Sequence, residues 1–365
     1  MNPEEKNESN ELSVKQQIIP EETSKRITAL RFLLAMLVVF IHNNLNVDEA
    51  INYYHLSFHE PIVITWIKTF VTCTIGGASV PLFYVFAGYL QFCKNDKYGN
   101  LLKKKSKSLL LPYCIWTIIC VLAYYFGQAI PMLRPFFQSD VNIVSNWKFH
   151  NWFAIFWNHM KGFPLVAQFW FVRDLMVLVI LTPIIKYCIK KIPILTVICI
   201  VFCFIKGLPL GFGTAAFFYI IGAVFAEYKF DFFNIADKLK WMELIPLLFV
   251  LSLFEMKQIN TFGIGIIISC LFCLKLSMIL IKNEKLFANL NYLSGFSFFL
   301  YAIHMPFLVT SISKISWKII PMHGIGCLIQ FIIPVVLTII IGTSIGILLK
   351  KVCPPLFVVL NGGRR

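Results

Sequence analysis

Long stretches of uninterrupted apolar residues alternate with short polar segments from one end of this chain to the other. Runs of about 20 apolar residues match the hydrocarbon thickness of a bilayer, and inside lipid only a helix satisfies its own backbone polar groups. The pattern predicts about ten spans, near 27–47, 62–93, 109–127, 168–187, 193–210, 212–228, 240–256, 260–281, 292–312 and 325–349. The second is expected to break near Gly76-Gly77. The fold class expected is therefore all-α, a polytopic integral-membrane helical bundle. Residues 1–25 read as a disordered cytoplasmic tail, 26–352 as one transmembrane domain and 353–365 as a second cytoplasmic tail.

The polar segments set the orientation. KNDKYGNLLKKKSKS, KYCIKK, KFDFFNIADKLK and KNEK fall on one side together with both termini, and the other side is poor in Lys and Arg. The positive-inside rule places the Lys-rich side in the cytoplasm, an N-in/C-in topology. The first residues, MNPEEKNESNE, lack the basic n-region and cleavage site of a signal peptide, so the first span is expected to be retained. No internal repeat of the kind that marks inverted-repeat transporters is visible.

Composition agrees with this reading. Hydrophobic residues make up 58% of the 365 and charged residues only 14%, against about a quarter in soluble domains. The formal net charge of +15 does not point to nucleic acid, because the lysines cluster between apolar runs as topology signals do. Eleven cysteines without recurrent spacing read as a reduced set, and no Cys/His grouping suggests a metal or a permanently bound cofactor.

Two ionisable residues lie inside the first apolar run, RITALRFLLAMLVVFIHNNLNV. Such residues are costly at membrane depth and usually pair, face a cavity or carry function. Arg31 and His42 are eleven residues apart, so on a helix they differ by only ~20° in direction and by roughly 16 Å along the axis. They share one face, with Arg31 at the cytoplasmic mouth and His42 toward the outer leaflet. Position alone leaves two readings open: a snorkelling anchor and a packing histidine, or an anion-binding Arg below a base-capable His.

The same stretch, RITALRFLLAMLVVFIH, resembles the first helix of the membrane acyltransferase-3 superfamily, whose signature is Arg-X10-His. Three more segments resemble the family in the expected order. VPLFYVFAGYL is similar to the end of the second helix, although Ala87 stands where Ser usually precedes Gly88. QFWFVRDLMVLVILTP, with Trp170, Arg173 and Asp174, resembles the Trp-Phe-Leu-Arg-Asp-Leu helix of one branch. FSFFLYAIHMPFL, with Tyr301 and His304, resembles the late Ser-Phe-x-x-Tyr-x-x-His-x-x-Phe helix. Lys104-x-x-Lys107 ahead of Pro112 resembles a basic Arg-x-x-Arg segment, keeping the charge without the bidentate fork.

The resemblance implies a bacterial cell-membrane enzyme. It would move an acyl group, commonly acetyl from acetyl-CoA, to a hydroxyl of a cell-surface or lipid-linked glycan. Under it His42 is the general base and His304 a second active-site candidate, while Arg31, Lys104 and Lys107 meet the donor's phosphates. Donor and acceptor are then acyl-CoA and a lipid-linked or surface sugar, with membrane lipid around them and no nucleic acid.

The remaining polar residues keep two readings each. Arg173 and Asp174 are adjacent and do not share a helix face, so each is expected to pair with a different helix, for structure or to orient the site. Tyr301 and His304 face together, as packing groups or as site partners. Trp147, Trp152 and Trp157 in the 128–167 loop read as an interfacial belt or as a sugar-stacking platform. A transporter or flippase of a glycan intermediate is the rival class, since intramembrane charges serve it equally. Acyl-CoA consumption separates the two.

Overall fold

Apolar runs this dense leave the backbone little choice but the helix. The computed structural model is all-helical, with no strand among the described residues, which are 19–44, 60–94, 96–137, 143–159, 162–206, 212–261 and 263–364. Most of the expected disordered tail, residues 1–18, lies outside the described residues, as does part of the 128–167 loop.

The first helix, α1 (Glu21–Asn44), starts inside the stretch expected as tail, with Glu21 and Glu22 in its first turn, where carboxylates complement the helix dipole. It is buried on nearly every side, through Ile27, Leu30, Leu34, Val38 and Val39, and forms the axis of the bundle. Among the described residues, five helical runs are long and apolar enough to cross a membrane: α2 (Ile62–Lys94), α3 (Tyr98–Ala129), α11 (Ile264–Lys282), α13 (Ser297–Trp317) and α14 (Ile325–Val352). Between them, in chain order, stand α4 (Phe149–Trp157), α5 (Trp170–Ile180), α6 (Thr182–Lys191), α7 (Pro193–Lys206), α8 (Phe212–Glu227), α9 (Phe232–Lys238), α10 (Trp241–Met256) and α12 (Glu284–Ser294). A last helix, α15, covers Pro354–Leu360.

Local chemistry explains the interruptions. In α2 a π-helical turn at Phe70–Ile75 leads into a 3₁₀ turn at Gly76–Ala78, where the break was expected. The single expected span 168–187 is two helices that meet at Leu181 (φ −76°, ψ 0°), just ahead of Pro183, which carries no amide to continue the ladder. The Lys-rich segment expected as a loop is helical instead. α3 starts at Tyr98 and runs through Lys103–Lys105 and a π-helical turn at Ser106–Leu110.

The tightest crossing joins α2 and α8. A Cβ on Gly88 would sit 2.0 Å from the Tyr219 carbonyl oxygen, and one on Gly222 2.1 Å from that of Val85. The two backbones touch there, the close approach that small residues permit between membrane helices. Gly88 in the VPLFYVFAGYL motif is therefore a packing residue.

Candidate functional site

Two histidines from distant parts of the chain meet in the interior. His42 stands on the last turns of α1 and His304 at the start of a kink in α13, with ring centroids 5.0 Å apart. His304 is fully buried. Its Nδ1 lies 2.7 Å from the Tyr301 carbonyl oxygen. A carbonyl only accepts, so Nδ1 carries the proton and Nε2 keeps its lone pair. That Nε2 and the Nδ1 of His42 are buried with no hydrogen-bond partner among the described residues. The arrangement is a pair of adjacent imidazoles, each with a buried ring nitrogen that has no partner among the described residues.

The kink is what aims His304. Met305 departs from helical geometry (φ −124°, ψ 155°), and helix carbonyls around it lose their partners. Gln168 replaces them, its Nε2 donating to Ala302 O at 3.3 Å and Met305 O at 2.8 Å. The Tyr301 hydroxyl in turn donates to the Gln168 backbone carbonyl. Rings close this unit: Phe169 stacks on Tyr301 at 5.9 Å and Phe171 meets it edge-on at 6.0 Å. Trp170, the aromatic singled out in the motif, is only half-buried at the edge of the core. Gln168 is the residue the sequence reading missed, and nothing in a one-dimensional pattern marks a glutamine that repairs a kink whose carbonyls lie 134 and 137 residues downstream.

Arg173 and Asp174 overturn an expectation. They pair with each other, Nε to Oδ1 at 2.9 Å, rather than with different helices. The flexible Arg stem bends back along its own helix, which side-chain direction at the Cβ does not forbid. Arg173 also donates through Nη1 to the carbonyls of Trp157 and Gly162, both at 2.7 Å, and its guanidinium lies 5.3 Å from the Trp157 ring centre. The pair thus clasps the segment after α4 onto α5. Trp147 meets Trp152 edge-on at 5.4 Å and packs on His159 of the clasped segment at 5.1 Å.

Beyond His42, α1 ends under a polar roof. Asn43 Nδ2 donates to the carbonyls of Gln330 and Phe331 at 3.3 and 3.0 Å, and its Oδ1 accepts from Ser313 at 2.7 Å. A buried Lys68–Glu60 ion pair sits alongside, and Lys68, Asn43 and Gln330 line a small hollow with Trp317 and Cys327.

At the opposite end of α1 the two arginines differ in kind. Arg26 is saturated: it forks onto Asp237 at 2.6 and 2.7 Å, donates to Ser277 and to Leu274 O, and covers the Phe233 ring. It ties α1 to α9 and α11 and is structural. Arg31, one and a half turns on, is half-buried and makes no ion pair or hydrogen bond among the described residues. Lys104 is spoken for, paired to Asp96 at 2.7 Å on the surface, and Lys107 is exposed. The lysine of this segment that turns inward is Lys105, half-buried and within electrostatic reach of Arg364.

The family model for the acyltransferase domain, acyltransferase-3, matches residues 24–350. The succinoglycan biosynthesis protein ExoH of Rhizobium meliloti (strain 1021) is 24% identical over 193 residues, 52% of this chain and 49% of ExoH, so the match spans about half the length of that relative. No solved structure matches. A match across nearly the whole helical bundle, on a chain with several membrane-length apolar helices, makes this protein a multi-pass membrane member of the acyltransferase-3 family.

Proposed function

We propose that this protein moves an acyl group, acetyl in the first instance, from cytoplasmic acyl-CoA to a hydroxyl of a cell-surface or lipid-linked glycan in a bacterial cell membrane. The observation that carries the reading is the His42–His304 ring pair, each ring with a buried nitrogen that has no partner among the described residues. Acyl transfer to a hydroxyl needs a base at the moment the oxygen attacks the thioester carbonyl. In this scheme His42 takes the hydroxyl proton, the C–O bond forms, the C–S bond breaks, and the proton passes to the departing thiolate. The His304 lone pair receives an N–H from the His42 ring once that ring is charged.

Arg31, unpaired among the described residues and roughly 16 Å along the same helix, supports a donor threaded with its phosphates at the mouth and its acyl end at His42. The ten-span, N-in/C-in arrangement belongs to this reading, since it puts Arg31 beside cytoplasmic acyl-CoA and His42 nearer an outside acceptor. The relative's name, succinoglycan biosynthesis protein, supports a glycan acceptor.

The test is transfer of labelled acetyl from acetyl-CoA to envelope glycan by the purified protein in lipid nanodiscs. Wild type should release CoA and label the glycan, and His42→Gln should lose at least about 10² in turnover. Undiminished transfer by His42→Gln, or no acceptor-dependent CoA release by wild type, would sink the proposal.

A further inference from the structure

The segment after α14 was expected to be a tail, yet it folds back onto the bundle. α15 ends in Asn361-Gly362-Gly363, with both glycines at positive φ (68° and 77°), a conformation Cβ-bearing residues rarely adopt. Gly363 N–H returns to Val358 O at 2.7 Å, closing the helix end. Asn361 is buried and pins the turn: its Oδ1 accepts from Phe299 N–H at 3.1 Å and its Nδ2 donates to Gly295 O at 2.7 Å. Trp116 of α3 donates to Leu360 O at 3.0 Å, and Gly362 is so close to Ser108 O that a Cβ there would lie 2.5 Å from it. The turn is wedged between α3 and α13, and it delivers Arg364 to the Arg31 end of α1.

There Arg364 lies over the Phe298 ring, 4.8 Å from its centre, and donates to Asn361 O at 3.1 Å. It forms no ion pair, and neither do Arg31 and Lys105, among the described residues. The acid acting on Lys105 is Asp96, which already holds Lys104, and Lys94 adds a further positive charge. Arg364 is exposed, so a ligand can reach it. Partial desolvation, and after it the like charge of Arg31, lower its pKa. Like charges brought together without a counter-ion oppose folding, and a polyanion relieves them.

The geometry points to a phosphate site at the mouth built jointly by Arg31 of α1, Lys105 of α3 and Arg364 of the folded-back turn, with Arg364 a donor-binding residue supplied by the segment after the last long helix. This rests on the reading of acyl-CoA as donor. Phosphate also arrives on anionic lipid headgroups, so the experiment separates the two sources.

The full chain is placed in nanodiscs of phosphatidylcholine alone, and affinities are measured for acetyl-CoA and for acetyl-pantetheine, which lacks the nucleotide phosphates. Arg364→Ala should weaken acetyl-CoA binding by about tenfold or more, the scale of one charge-assisted hydrogen bond, and leave acetyl-pantetheine binding as in wild type. Arg364→Lys should fall between. Because Asn361 rather than Arg364 holds the turn, both variants should elute and melt as wild type; if Arg364→Ala does not, the Lys variant carries the comparison. Unchanged acetyl-CoA affinity in Arg364→Ala alongside a loss in Arg31→Ala would overturn this inference and leave the donor reading standing. Wild type that binds both probes equally would overturn both. An effect of Arg364→Ala that appears only when phosphatidylglycerol is added, as lost thermal stabilisation, would assign the site to lipid and overturn the donor role.

Discussion

Replacing His304 separates its structural and chemical jobs, because its two ring nitrogens do different things. Nδ1 donates to Tyr301 O inside the protein, while Nε2 has no partner among the described residues. Asn places an amide N–H near the Nδ1 position and removes the Nε2 lone pair. His304→Asn should therefore keep the Tyr301 contact and the kink yet lose proton handling. General-base and proton-relay roles contribute about 10²–10⁴ in rate, or roughly 3–5.5 kcal/mol of barrier. His304→Ala removes both functions. It leaves a buried carbonyl unpaired, at about 1–3 kcal/mol, and opens a cavity beside His42, so it should be both inactive and less stable. Gln carries its amide out to the Nε2 position without a titratable base, and should be inactive too.

The assay is acetyl transfer per folded molecule, with folded protein quantified by size-exclusion chromatography and thermal melting. The double variant with His42→Gln adds a check, since groups that act as a unit lose little more together than singly. If His304→Asn keeps turnover within a factor of about three of wild type, His304 is a packing histidine and the two-histidine mechanism is wrong.

Three further outcomes are expected. Arg31→Ala should raise the KM for acetyl-CoA more than Arg31→Lys, and Lys104→Ala should do little because Lys104 is exposed and paired to Asp96; equal effects of Lys104→Ala and Arg31→Ala would contradict the geometry. Asp174→Asn should lower folded abundance more than specific activity, since it leaves the buried Arg173 charge without its carboxylate, and a pure loss of turnover at full abundance would move the pair into the chemistry. Gly88→Ala should reduce folded yield sharply, because its Cβ meets a backbone carbonyl that no side-chain rotation can move; a melting temperature within a degree or two of wild type would refute the close crossing.

What the sequence determined by itself is what one helix determines. Lengths of apolar runs follow from bilayer thickness. The shared face of Arg31 and His42 follows from 3.6 residues per turn, because both sit on the same rigid element. The four ordered motifs were likewise local, and the family they implied is the one that matches.

Tertiary structure decided everything that crosses between helices. Which imidazole meets His42, and which of its nitrogens is left over, depends on a kink that Gln168 stabilises from another part of the chain. Arg173 turned to its own neighbour because a flexible stem obeys available partners, not helical spacing. Lys105 rather than Lys104 points inward because the segment is helical where a loop was expected, and Asp96 captures its neighbour. The turn at Asn361–Arg364 had no apolar periodicity to announce it. It is held by the Trp116 indole of α3, the Phe299 amide of α13 and the Gly295 carbonyl between α12 and α13, and those donors and acceptors exist in the right place only after the bundle has formed.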